Sequence, residues 1–101
     1  AATIANKGLN PLSNEQVFDS EIAPKITSMI STVGFYEHTG DWLFDTGVPA
    51  KSGVGGGIMG VVPGKVGIAA FAPPIDSAGN SVKAQKAIRA ISAKLGFNIF
   101  D

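Results

Sequence analysis

The sequence contains no cysteine. Disulfides and thiolate metal sites are therefore excluded, and a reducing compartment suits the chain. A single histidine, His38, would have only carboxylates beside it as metal ligands, so no structural metal is expected. Net charge is also lacking: 8 basic and 8 acidic side chains cancel. No global field recruits nucleic acid or an anionic membrane, and neither is expected as a partner. No apolar run approaches the roughly 20 residues that span a bilayer, and no basic region with an apolar core opens the chain.

What is present fits a small globular unit with little burial to spare: 101 residues, 45% of them hydrophobic and 16% charged. Acidic residues outnumber basic ones before position 50 and the excess reverses afterwards; solvated faces account for this. Residues 1–5 (AATIA) run into Asn6-Lys7-Gly8, a basic residue and then a helix-ending glycine. This reads as the last turn of a longer helix, so the chain is expected to begin inside an element.

A second helix is expected from Asp19 or Ser20, with Pro24 in its first turn and Ile22, Ile26, Met29, Ile30 and Val33 on one buried face, ending at Gly34. Between Phe35 and Thr46, alternation of Trp42 and Phe44 predicts an irregular segment leading into a short strand. Two apolar runs, Ile58 to Val62 and Val66 to Phe71, joined by Pro63-Gly64, predict a hairpin. A last helix opening at Asn80 should turn Val82, Ala84, Ala87, Ile88, Ile91 and Leu95 inward and stop at Gly96. The class expected is α+β, an antiparallel sheet packed with helices.

The glycine-rich stretch Pro49-Ala50-Lys51-Ser52-Gly53-Val54-Gly55-Gly56-Gly57 is the densest signal. Gly55-Gly56-Gly57-Ile58-Met59-Gly60 formally fits G-x-G-x-x-G, but a β-branched strand follows where a dinucleotide site needs a helix N-terminus. A Walker loop fails because no Gly-Lys-Ser/Thr follows at the right spacing. Lys51-Ser52-Gly53 leading into a strand is similar to the K-T-G element of penicillin-recognising serine enzymes. A purely structural reason for the glycines, a bulge at a strand entry, is the alternative. Tyr36 after a glycine reads, taken alone, as a packed aromatic with a bonded hydroxyl.

A longer match is more specific. VPAKSGVGGGIMGVVPGKVGIAAFAPPIDSAGNSV (48–82), AATIANKGLNPLSNEQVF at the start and GFYEHTGDWLFDTG between them resemble the serine-dependent glutaminases over essentially the whole chain. The resemblance implies the C-terminal part of one β-lactamase-like (penicillin-binding-protein-like) domain over residues 1–101. It implies hydrolysis of L-glutamine to L-glutamate and ammonia through a serine acyl-enzyme, with no cofactor. The family's nucleophile lies in S-x-x-K, and no serine here has a lysine three residues later. The nucleophile would therefore be upstream, in a missing N-terminal part, and the fragment alone is expected to be inactive.

What carries over is Tyr36, beside the nucleophile and the substrate, and Val54, whose backbone N–H helps form the oxyanion hole. Gly53, Gly55 and Gly56 keep the Val54 loop open, and Lys51 lies near the site, hydrogen-bonding around Tyr36. His38 is read as a turn residue without a catalytic role. The resemblance also implies a homo-oligomer, dimer or tetramer, and the end soon after Gly96, as in bacterial members, implies a bacterial cytoplasmic enzyme. Two rivals stay open at this point: another serine β-lactamase-like acyl-transfer enzyme, and an interaction module without activity.

Overall fold

A computed structural model describes all 101 residues. The chain is α+β, as expected. Its elements run α1 (Ala2–Ala5), α2 (Ala23–Val33), α3 (Thr39–Thr46), β1 (Ala50–Ser52), β2 (Gly57–Val62), β3 (Val66–Phe71) and α4 (Val82–Leu95), with short 3-10 turns before α2 and α3. The three strands form one antiparallel sheet in the order β1-β2-β3. No helix is long and apolar enough to cross a membrane.

Pairing follows the period of two. Ala50 faces Gly60, Ser52 faces Ile58, and Ile58 faces Ala70, which puts these residues on one side of the sheet. That side joins Phe35, Trp42, Ala84 and Ile88 in the larger buried cluster, under α3 and α4. The other side carries Val61 and Met59 against Ala5, Ile4 and Ile30 of α1 and α2. Gly60 and Gly67 let neighbours come close: a Cβ at Gly67 would lie 2.3 Å from the Ala2 nitrogen. The expected hairpin is present, turning at Gly64 with φ +73°.

Helix ends follow their chemistry. α1 unwinds through Lys7 (φ +55°) and Gly8 (φ +89°), and the Gly8 N–H still reaches the Thr3 carbonyl at 2.8 Å. α4 begins one residue later than the sequence suggested: Ser81 is its N-cap, and Ser81 Oγ accepts from the Ala84 N–H at 3.1 Å. Gly96 closes the helix at φ +68°.

Three expectations need correcting. Residues 39–46 form a helix where a short strand was expected. Trp42 and Phe44, two apart, fall on opposite sides of that helix: Trp42 is buried and Phe44 is 88% exposed. Trp42 stacks on Phe35 with ring centroids 4.3 Å apart, and its indole N–H donates to the Val48 carbonyl at 2.8 Å. Gly34 does not end α2 through a left-handed conformation; its φ is −68°. It is small because a Cβ there would lie 2.0 Å from the Ala50 carbonyl oxygen, so the end of α2 rests directly on β1. Finally, the apolar helix faces are only partly covered. Ile22, Met29 and Val33 of the α2 segment and Val82, Ala87, Ile91 and Leu95 of α4 stay exposed; Ala23 and Ile30, and Ala84, Ile88 and Ser92, are the buried positions.

Candidate active site

Gly53 to Gly57 connect β1 to β2 as a tight hairpin. The Gly56 N–H donates to the Gly53 carbonyl at 3.0 Å, closing a turn around Val54 and Gly55, and the Gly53 N–H donates to the Gly57 carbonyl at 2.9 Å. A positive-φ glycine after such a turn is a glycine bulge, and Gly56 has φ +106°. Its missing side chain is required, since a Cβ would lie 2.6 Å from the Ala72 carbonyl oxygen. The structural reading of the glycines thus holds for Gly56. Gly53 and Gly55 face open space, with nothing within 4 Å of a hypothetical Cβ. Val54 occupies the first central position of the turn, 65% exposed, and its N–H engages no acceptor within the chain.

Tyr36 sits where α2 gives way to α3. It adopts φ +54°, a left-handed conformation that costs a bulky residue about 1–3 kcal/mol and persists only where surroundings impose it. Tyr36 is 45% exposed. Lys51, in the middle of β1, places Nζ 4.6 Å from the Tyr36 ring centroid. Its hydrogen bonds go elsewhere, to the Ser52 carbonyl at 2.6 Å and, at longer range, the Gly34 carbonyl at 3.4 Å. The expected hydrogen bonding around Tyr36 is therefore replaced by contact with the ring face, a cation–π arrangement.

A residue the sequence reading passed over brings Tyr36 and Val54 together. Gly79, at φ +99°, lies against both: a Cβ there would be 3.4 Å from Val54 Cγ1 and 3.5 Å from Tyr36 Cε2. The loop carrying Gly79 is held by Asp76, whose carboxylate accepts from the N–H groups of Ala78 and Asn80, each at 3.0 Å, and from Gln85 Nε2 at 3.1 Å. The Asn80 N–H, which lowers the Asp76 pKa most, outweighs the upward push of burial, and Gln85 and Ala78 add to the lowering; the carboxyl lies below its ordinary 3.8.

Beneath Tyr36 runs a buried polar chain. Ser52 Oγ donates to Asn80 Oδ1 at 2.5 Å, and Asn80 Nδ2 donates to the Phe35 carbonyl at 3.2 Å. Ser52 and Asn80 are both buried. The motif Asp76-Ser77-Ala78-Gly79-Asn80, an acid followed by a turn glycine, is the sequence signal that announces this loop.

His38 has its Nδ1 3.1 Å from Asp41 Oδ2, and that hydrogen bond raises its pKa above the ordinary 6.5. No group of three or more His, Cys, Asp or Glu side chains is placed to hold a metal ion. The largest cavity, about 610 Å³, is lined by Ile4, Pro24, Leu43 and Phe100 among others and includes none of Tyr36, Lys51 or Val54.

Comparison with known proteins places this geometry in context. The glutaminase family profile matches residues 1–100. A glutaminase of Parabacteroides distasonis is 71% identical over the whole chain, which spans 32% of that relative, and one of Bacteroides fragilis is 65% identical over the same shares. Among solved structures, the probable glutaminase ybaS superposes with a TM-score of 0.96 at 46% identity, covering 98% of this chain and 32% of that one. The Bacillus subtilis glutaminase YbgJ, solved as a covalent complex with 5-oxo-L-norleucine, gives 0.90 at 34% identity, covering 97% and 36%. This chain therefore spans about a third of its relatives' length. Its α+β architecture is part of their β-lactamase-like fold. With a family match over nearly every residue, the chain belongs to the glutaminase family.

Proposed function

We propose that the protein carrying this chain is a glutaminase that hydrolyses L-glutamine to L-glutamate and ammonia, and that residues 1–101 are the C-terminal part of its single catalytic domain. A serine outside these residues attacks the side-chain amide carbon of glutamine. Ammonia leaves, and water then cleaves the γ-glutamyl ester. Val54 donates its backbone N–H to the tetrahedral oxyanion, and Tyr36 carries protons between nucleophile and leaving group. Lys51 supports Tyr36 across the ring face. No cofactor takes part.

The observation that carries this reading is the Val54 N–H, which has no acceptor within the chain, on an exposed turn that shares the Gly79 neighbourhood with the Tyr36 ring. A turn amide with no internal partner, flanked by two glycines that leave the approach open, is the arrangement an oxyanion donor needs. The exposure of both residues accords with a cleft whose opposite wall comes from the rest of the domain. Uncovered apolar residues on α2 and α4 give that wall, or a second copy in a dimer or tetramer, surface to pack on. A cytoplasmic location suits a cysteine-free sequence.

The test compares two preparations in an ammonia-release assay with glutamine. The full-length protein should turn over, and should not open a chromogenic cephalosporin. The isolated 101-residue chain should release nothing. Ammonia from the isolated chain would overturn the assignment of the nucleophile, and an inactive full-length protein would overturn the activity.

A further inference from the structure

Tyr36 holds a conformation that tyrosine does not choose for itself, so something must hold it there. The dihedral φ describes rotation about N–Cα, which turns the peptide plane before a residue relative to that residue's Cα substituents, its side chain and its own carbonyl carbon. Fixing the groups on both sides fixes where Cβ points. In this structure the carbonyls on both sides of Tyr36 accept from side chains in addition to the backbone N–H groups of His38 and Thr39. On the near side, Asn80 Nδ2 donates to the Phe35 carbonyl, the oxygen of the peptide preceding Tyr36, at 3.2 Å. On the far side, Thr39 Oγ1 donates to the Tyr36 carbonyl at 2.6 Å and accepts from the Phe35 N–H at 3.0 Å. Asn80 is itself anchored by Ser52 Oγ and by the Asp76 carboxylate.

The two grips come from different parts of the chain. Thr39 opens α3, three residues beyond Tyr36, whereas Asn80 lies 45 positions from Phe35 in sequence. Asn80 follows Gly79, where an added Cβ would meet both the Tyr36 ring and Val54. The loop that grips the Tyr36 backbone is thus the loop that spaces its ring from the oxyanion donor.

We propose that Thr39 and Asn80 are positioning residues for the reaction: they hold Tyr36 in its left-handed conformation through the peptide groups on either side of it, and so set the phenol against the Val54 N–H. Neither touches the reacting atoms. The inference rests on the proton-carrying role of Tyr36 proposed above.

Thr39 gives the cleaner test, because valine keeps its shape and removes only the hydroxyl. In the full-length enzyme, Thr39→Val should lower kcat for glutamine by about 10- to 100-fold through misplacement of the phenol, with KM within a few-fold. Thr39→Ser, which keeps the hydroxyl, should restore kcat to within about threefold of wild type. In a Tyr36→Phe background, itself lowered by roughly 100-fold or more, Thr39→Val should cost little further, since the hydroxyl it positions is gone. Asn80→Ala should show the same coupling; if that buried change prevents folding, the Thr39 series decides alone. Two results overturn the proposal while leaving the function standing: near-normal kcat for Thr39→Val beside a crippled Tyr36→Phe, or equal losses from Thr39→Val in both backgrounds. Normal turnover of Tyr36→Phe would overturn both the proposal and the role of Tyr36.

Discussion

The Lys51 ammonium lies 4.6 Å from the centroid of the Tyr36 ring, while its hydrogen bonds go to the backbone carbonyls of Ser52 and Gly34. Lys51 therefore acts on Tyr36 as a charge over its face, and not as a partner of its hydroxyl. Such a contact is worth about 0.5–2 kcal/mol. Lys51→Met, which keeps the stem and removes the charge, is expected to slow glutamine turnover by a few-fold to about thirtyfold. Steady-state kinetics of the full-length variant check this. A loss as deep as that of Tyr36→Phe would mean that Lys51 itself exchanges the proton.

Gly79 should resist a side chain because of its backbone: its φ of +99° is hostile to one, although a Cβ would meet Val54 and Tyr36 only at ordinary contact distance. Gly79→Ala is expected to lower stability by about 1–3 kcal/mol and to lower turnover as well. Gly40 is the control: it lies in α3 and a Cβ there meets nothing within 4 Å. Gly40→Ala should leave turnover alone and add about 0.5–1 kcal/mol, the usual gain for a helical position. Denaturant unfolding of the two variants reads the opposite signs.

Acid should loosen the loop that carries Gly79 and Asn80. The Asp76 carboxyl is held below its ordinary 3.8, foremost by the Asn80 N–H. A depressed carboxylate contributes stability that is present above the unfolded value and lost as pH falls through the folded one. The stability difference between wild type and Asp76→Asn should therefore be fully developed above pH 3.8 and shrink below it. Unfolding measured across that range would show it; a difference that persists unchanged to low pH would contradict it. His38 has the opposite sign: its pairing with Asp41 contributes below pH 6.5 and fades as pH rises through the raised value.

Much of this was legible in the sequence, in proportion to how local its cause was. Gly96, Pro63-Gly64 and the β-branched runs announce a helix end and a hairpin because turn chemistry is written in adjacent residues. Residues 39–46 misled because Trp42 and Phe44 imitate strand alternation; what decides the matter is the stacking of Trp42 on Phe35 and its bond to Val48. The exposed residues of α2 and α4 show a helical period without the cover that would bury them. Tyr36, Lys51 and Val54 were named from family resemblance, and the structure brings them to one corner of the sheet. Ser52, Gly79 and Asn80 were missed as site residues because their contacts reach across tens of positions that no spacing reveals; Thr39 was missed because its bonds to Phe35 and Tyr36, though local, depend on the helical turn that was read as a strand approach.

The central claim is that the catalytic group at position 54 is a backbone N–H and not a side chain. Val54→Ala should therefore retain most activity, while replacing the Val54 amide by an ester through semisynthesis deletes the donor with little change in shape. Loss of one oxyanion donor typically lowers turnover by about 100- to 1000-fold, and KM for glutamine should change far less. An ester variant that folds and hydrolyses glutamine at close to the normal rate would place the oxyanion elsewhere and leave the hairpin glycines with only the bulge to explain them.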